Sequence, residues 1–127
     1  MEELGFKDVF DRCPSGIVIT DHRLKIIDAN EAAHRVLRMG SLLGNSLTEI
    51  FDEVSKAHMV TFSQYLSSGK QVCMDCRFNA PQLDGWCELS ATKVQGNNPA
   101  QGVIIWSIAD ISIHKRRESE LENLAYY

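Results

Sequence analysis

Long hydrophobic runs are missing from this 127-residue chain. Its apolar runs stop at four or five residues, far short of the roughly 20 that a membrane-spanning helix needs. A basic excess is missing too: 13 Lys and Arg face 17 Asp and Glu, for a net charge of −4. With no basic field to attract them, neither nucleic acid nor an anionic membrane surface is an expected partner. Proline is scarce, at 3 residues, and no repeat, low-complexity stretch or Pro/Gly-rich linker divides the chain. Enzyme signatures are absent as well. There is no HExxH, no GxSxG and no phosphate-cradling glycine loop, since Gly69-Lys70 lacks the upstream glycine. Asp8 and Asp11, the nearest approach to paired carboxylates, fall on an exposed helix face, so the chain reads as a non-enzyme. The N-terminus, MEELGFKDVF, is acidic and amphipathic, unlike a secretory signal. A cytoplasmic location is expected.

What is present is ordinary for a globular fold: 44% hydrophobic and 24% charged residues. The length suits one domain, which buries roughly two-thirds of its unfolded surface without needing staples. Four cysteines do not change that. Cys73 and Cys76 form a CxxC, but VCMDCRF alternates like a strand, which sends the two thiols to opposite faces. A zinc knuckle needs a tight turn there, and no Gly or Asn supplies one. The cysteines, with Cys13 and Cys87, are expected to be free and buried, and no metal site is expected.

Periodicity orders the chain. Leu4, Phe6, Val9 and Phe10 predict a short entry helix that Pro14, Ser15 and Gly16 end. GIVIT and LKII predict a hairpin around the polar DHR turn. Asn30 is an N-cap for EAAHRVLRM, where Ala33, Val36 and Leu37 share a face. SLTEI suits one helical turn. From Phe51 to Ser67, residues Phe51, Val54, Phe62 and Tyr65 form one stripe with His58 at its centre. Three strands follow, QVCMDCRF, WCELSATKV and GVIIWSIA, joined by turns around Pro81, Asp84 and Gly85 and by GNNPAQG. In the last strand Ile104, Trp106 and Ile108 share the face expected to be inward. ISIHKRRESELENLAYY then predicts a charged helix with an Arg116/Glu120 pair and a narrow seam of Leu121, Leu124 and Ala125. The fold class is therefore α+β. A five-stranded antiparallel sheet has one face covered by the helices around His34 and His58, with a cavity expected between the layers.

FDRCPSGIVITD, IIDANEAAHRVL, GNSLTEIF and WSIADISIHKRRESEL, in this order, resemble a PAS domain over nearly the whole chain. The resemblance implies an entry helix over residues 1–12, a sensory core over 13–111 and a C-terminal signalling helix over 112–127. Asp110, Ile111 and Ser112 match the family's D-I-T element, which carries the signal into that helix. Leu24 departs from the pattern, since many members have Gly there, and a different turn type is expected. ENLAYY resembles the linker that often enters a diguanylate cyclase (GGDEF) domain, the source of cyclic di-GMP; a histidine kinase linker is similar. The chain is accordingly expected to be the sensory piece of a longer bacterial-type signalling protein with an effector downstream.

HMVTFSQYLSSGK resembles the helix of oxygen-sensing haem PAS domains, with His58 at the iron ligand and Tyr65 and Gly69 in register. A neutral imidazole facing an apolar cavity suits that role, whereas an inward Trp106 would occupy space a porphyrin needs. Cys76-Arg77-Phe78 resembles the N-C-R-F motif of flavin-binding light sensors but lies on a strand, not on the helix after Gly44-Asn45, so a covalent flavin photocycle is not expected. His34 reads as an exposed or rim histidine, and the HKRR run as a solvated helix face. Three readings remain. The first is a small-ligand sensor binding through His58, Phe62, Tyr65, Met74, Ile104, Trp106 and Ile108, with no cofactor identified. The second is a ligand-free module whose core is filled and whose terminal helices form a homodimer. The third is a haem- or flavin-linked redox or gas sensor.

Overall fold

A computed structural model of the chain describes residues 5–38, 40–66, 70–79, 85–94, 102–111 and 117–118; for Phe6 and Tyr65 it describes the backbone alone. The elements run α1 (Phe6–Arg12), β1 (Gly16–Thr20), β2 (Ile26–Ala29), α2 (Glu31–Leu37), a 3-10 turn (Leu47–Ile50), α3 (Glu53–Tyr65), β3 (Gln71–Arg77), β4 (Trp86–Val94) and β5 (Val103–Asp110). The five strands form one antiparallel sheet in the order β2-β1-β5-β4-β3. The expected architecture is therefore the observed one. No helix among the described residues is long and apolar enough to cross a membrane.

Strict alternation makes the sheet two-sided. Val18 and Thr20 of β1, Cys87, Leu89 and Ala91 of β4, and Ile104, Trp106 and Ile108 of β5 turn one way and are buried. Leu37 of α2, Leu42, Leu47 and Met59 of α3 close over them. At the start of β1, α2 crosses so closely that a Cβ on Gly16 would lie 3.2 Å from the Ile108 carbonyl and 3.3 Å from Ala33 Cα. A side chain there would need the Ile108 carbonyl or α2 to give by a few tenths of an ångström, which glycine avoids.

Both outer strands are partly sealed, which limits edge pairing. Gly44 N–H donates to the Ile26 carbonyl, Ile26 N–H to Asn45 and Leu47 N–H to Leu24, so the chain after α2 covers the rim of β2. At the other side Asp52 N–H donates to the Arg77 carbonyl and Asn79 N–H to Ile50, tying β3 to the base of α3.

One expectation about local structure is corrected. The second strand begins at Ile26 rather than Leu24, because Leu24 and the residues before it form the turn. Asp21 Oδ1 accepts from both Arg23 N–H and Lys25 N–H, and its carbonyl from Leu24 N–H. Leu24 takes φ +67°, the left-handed conformation glycine favours, while its side chain is buried in the core. Burying a Leu side chain contributes about 1.5–3 kcal/mol, enough to offset a left-handed penalty of about 1–2 kcal/mol.

Candidate functional site

Among the described residues, the chain's own side chains pack between sheet and helices, where a cavity is expected. Trp106 is 0% exposed, and its indole N–H donates to Thr20 Oγ1 at 2.9 Å across the β1–β5 pair. Thr20 is likewise buried, so the one polar atom of the indole is satisfied without water or ligand. Met74, Ile104 and Ile108, three further residues expected to line a cavity, are also buried in this cluster.

The α3 residues go elsewhere. Val54 is 65% exposed, Phe62 is 41% exposed, and His58 is exposed between them with its ring edge-on to Phe62 at 6.3 Å. The buried positions are Ser55 and Met59, with Leu66 just beyond the helix. The inward stripe through Val54, His58 and Phe62 is therefore corrected: it faces solvent. Polar stitching at the helix start sets this rotation. Asp52 caps α3 by accepting from Ser55 N–H at 2.8 Å, and Ser55 Oγ accepts from Arg77 N–H at 2.9 Å. Holding Ser55 against β3 turns Met59 inward one turn later and leaves His58 outside. An outward His58 and an interior held by Trp106 do not fit a porphyrin between the layers. Tyr65's side chain and Gly69, the other residues of that comparison, lie outside the described residues.

Asn30 does more than its spacing suggested. It is 0% exposed and uses its whole amide: Oδ1 accepts from Ile17 N–H and Ala33 N–H, both at 2.9 Å, and Nδ2 donates to the carbonyls of Phe10 (3.0 Å) and Ser15 (2.8 Å). One side chain thus joins the end of α1, the start of β1 and the start of α2. The N-cap was legible from sequence; the two bonds back to α1 and its exit cross 20 and 15 residues and carried no local signal.

Two cysteines fit the expectation of burial and two do not. Cys76 and Cys87 are buried, Cys13 is half-buried, and Cys73 is exposed on the outer face of β3; all are free. Desolvation pushes the Cys76 thiol up to about 12, against a hydrogen bond with Ser55 that lowers it, and desolvation raises Cys87 with Cys76 as the next cause. Both are protonated at neutral pH and poor nucleophiles or metal ligands. They are direct cross-strand neighbours, and Phe78 N–H bonded to Gly85 places Cys76/Cys87 at a hydrogen-bonded position.

At the exit, Asp110 ends β5 in an exposed position and Ile111 N–H donates to the Trp86 carbonyl at 3.0 Å. Ser112 lies outside the described residues, as do the Arg116/Glu120 pair and the Leu121 seam. His34 is half-buried.

The comparisons with known proteins agree with this geometry. The PAS domain family model matches residues 14–112. Among solved structures, the PAS domain of an HTR-like protein from Haloarcula marismortui is 16% identical with a TM-score of 0.69, over 83% of this chain and 88% of that one. A PAS domain from Colwellia psychrerythraea is 18% identical with a TM-score of 0.71, over 82% and 92%. The PAS domain of nitrogen regulation protein NR(II) from Vibrio parahaemolyticus is 16% identical with a TM-score of 0.62, over 85% and 100%. No curated protein matches the sequence. At these identities the structures speak for the fold, and the family match over most of the length speaks for membership: this chain belongs to the PAS domain family.

Proposed function

We propose that this PAS domain is a filled-core interaction module of a signalling protein. It self-associates through its terminal helices and passes changes in packing along β5 to the exit helix. The observation that carries this reading is Trp106, fully buried and bonded to Thr20 where a ligand would otherwise lie. A small-molecule sensor of the expected kind would first have to displace an indole and leave the Thr20 hydroxyl unpaired, which costs about 1–3 kcal/mol. Asn30 supplies the coupling at the entry side, since α1, β1 and α2 move together while its four bonds hold. The exit helix would hand the signal to an effector; the ENLAYY linker supports a diguanylate cyclase in that role.

Absorption spectroscopy and native mass spectrometry of the purified protein test this reading. The expected result is no visible band and masses equal to the bare polypeptide or its multiples. A Soret band abolished in His58→Ala, or a retained small molecule, would restore the sensor readings.

A further inference from the structure

The two edges of the sheet are closed to different extents. The chain after α2 covers the rim of β2, whereas β3 is tied down at its C-terminal end only. In an antiparallel ladder every second residue of an edge strand turns its N–H and C=O away from the sheet. Phe78 N–H bonded to Gly85 sets that alternation here: Val72, Met74 and Cys76 bond to β4, while Gln71, Cys73, Asp75 and Arg77 present their backbone outward. At Arg77 both outward groups are taken, the N–H by Ser55 Oγ and the carbonyl by Asp52 N–H. Among the described residues nothing bonds the outward backbone groups of Gln71 and Cys73. No proline or bulge, the usual guards of an edge, interrupts the strand there.

We propose that this edge of β3 pairs with the same edge of a second copy, antiparallel about a two-fold axis through Cys73, joining two sheets into one. The stretch before the seal at Arg77 runs from Gln71 to Asp75 and centres on Cys73, so it matches itself along its whole length only in that register. Gln71 then stands opposite Asp75 of the second copy, and Cys73 opposite Cys73. Sliding one copy by two residues sets Gln71 against the occupied Arg77 or carries Asp75 past the start of β3, and either shift shortens the ladder. A register centred on Asp75 would also oppose two like charges, which the Cys73 register avoids. On the inner face, half-buried Val72 meets Met74 of the second copy twice over, which extends the apolar core across the seam. So short a ladder buries well under the roughly 1,200 Å² of a stable complex, so the pairing is weak and concentration-dependent. It involves neither terminal helix and is independent of association through them.

Site-directed cross-linking of the full chain tests it, with circular dichroism confirming that each variant folds. Cys13→Ser removes the other thiol that is not buried. Diamide is the oxidant: two thiols give two protons and two electrons to its azo bond, leaving one disulfide and one hydrazine. With Cys73 retained, a cross-linked dimer is expected, because the paired Cα atoms stand about 5.5 Å apart, within disulfide reach. Moving the thiol reads the register. With Cys73→Ser, a mixture of Gln71→Cys and Asp75→Cys chains is expected to cross-link at least about tenfold faster than either chain alone, since each position lies roughly 14 Å along the strand from its own counterpart. Cys73→Lys in place of Cys73→Ser sets two like charges on the axis and is expected to slow the mixture about tenfold. A mixture no faster than its components, or one indifferent to Cys73→Lys, overturns the proposal and leaves the edge to an extended strand of another protein. That result would leave association through the terminal helices standing.

Discussion

Strand β5 and helix α3 each present apolar residues at the spacing of their element, yet they turn opposite ways. Ile104, Trp106 and Ile108 of β5 are all buried, whereas Val54, His58 and Phe62 of α3 face solvent. The difference lies in how each element is held. β5 is paired on both sides, with β1 and with β4, so its side chains have only two directions and the helices cover one of them. A helix lying on a sheet can rotate continuously about its axis, and a single polar anchor can select the angle. Here Ser55, bonded to Arg77 N–H, prevails over the more apolar stripe. Hydrophobic periodicity identifies an element's face reliably where backbone pairing fixes rotation and less so where a side-chain hydrogen bond does.

The sharpest test of the buried half of this comparison is Trp106→Ala. Removing the indole leaves a core cavity and an unpartnered Thr20 hydroxyl, and equilibrium denaturation is expected to show a loss of about 3–5 kcal/mol. Ser55→Ala attacks the anchor of the exposed half. It strands the Arg77 N–H, with an expected cost of about 1–3 kcal/mol in the same measurement.

The thiols beneath that anchor give a pH signature. Cys76 is raised from 9.0 to about 12 in the folded state, and Cys87 is raised as well. The unfolded chain therefore ionises first. Stability is fully present below pH 9 and falls as pH climbs from 9 toward the folded values, by up to about 1.4 kcal/mol per pH unit for each thiol. Replacing Cys76 and Cys87 by Ala is expected to flatten that alkaline slope. The smallest effect belongs to the outward stripe: His58→Ala is expected to change stability by no more than about 0.5 kcal/mol, as at an ordinary surface position. A loss comparable to that of Trp106→Ala would mean that α3 turns His58 inward after all.

The pattern of elements was legible in the residues because strands and helices here follow their own periods. GIVIT, WCELSATKV and the three alternating residues around Trp106 announce a sheet with one inner face. The position of the inward thiol Cys76 opposite the outward Cys73 followed from the same alternation. What could not be read locally depended on contacts far apart in sequence. Asn30 reaching Phe10, Ser55 reaching Arg77 and Trp106 reaching Thr20 span 20, 22 and 86 positions. Leu24 shows the same limit at close range. Its left-handed turn is imposed by Asp21 and by the core that receives its side chain, not by its own preference.

A filled-core module requires that the protein's own tryptophan close the interior. Hydrogen exchange of the Trp106 indole N–H, followed by NMR beside that of the half-buried Trp86, measures this directly. A filled core predicts that the Trp106 proton exchanges only through global unfolding, with a protection free energy equal to the whole stability. Exchange through a low-energy local opening would contradict it, because an interior that readily admits water at Trp106 is one that can admit a ligand.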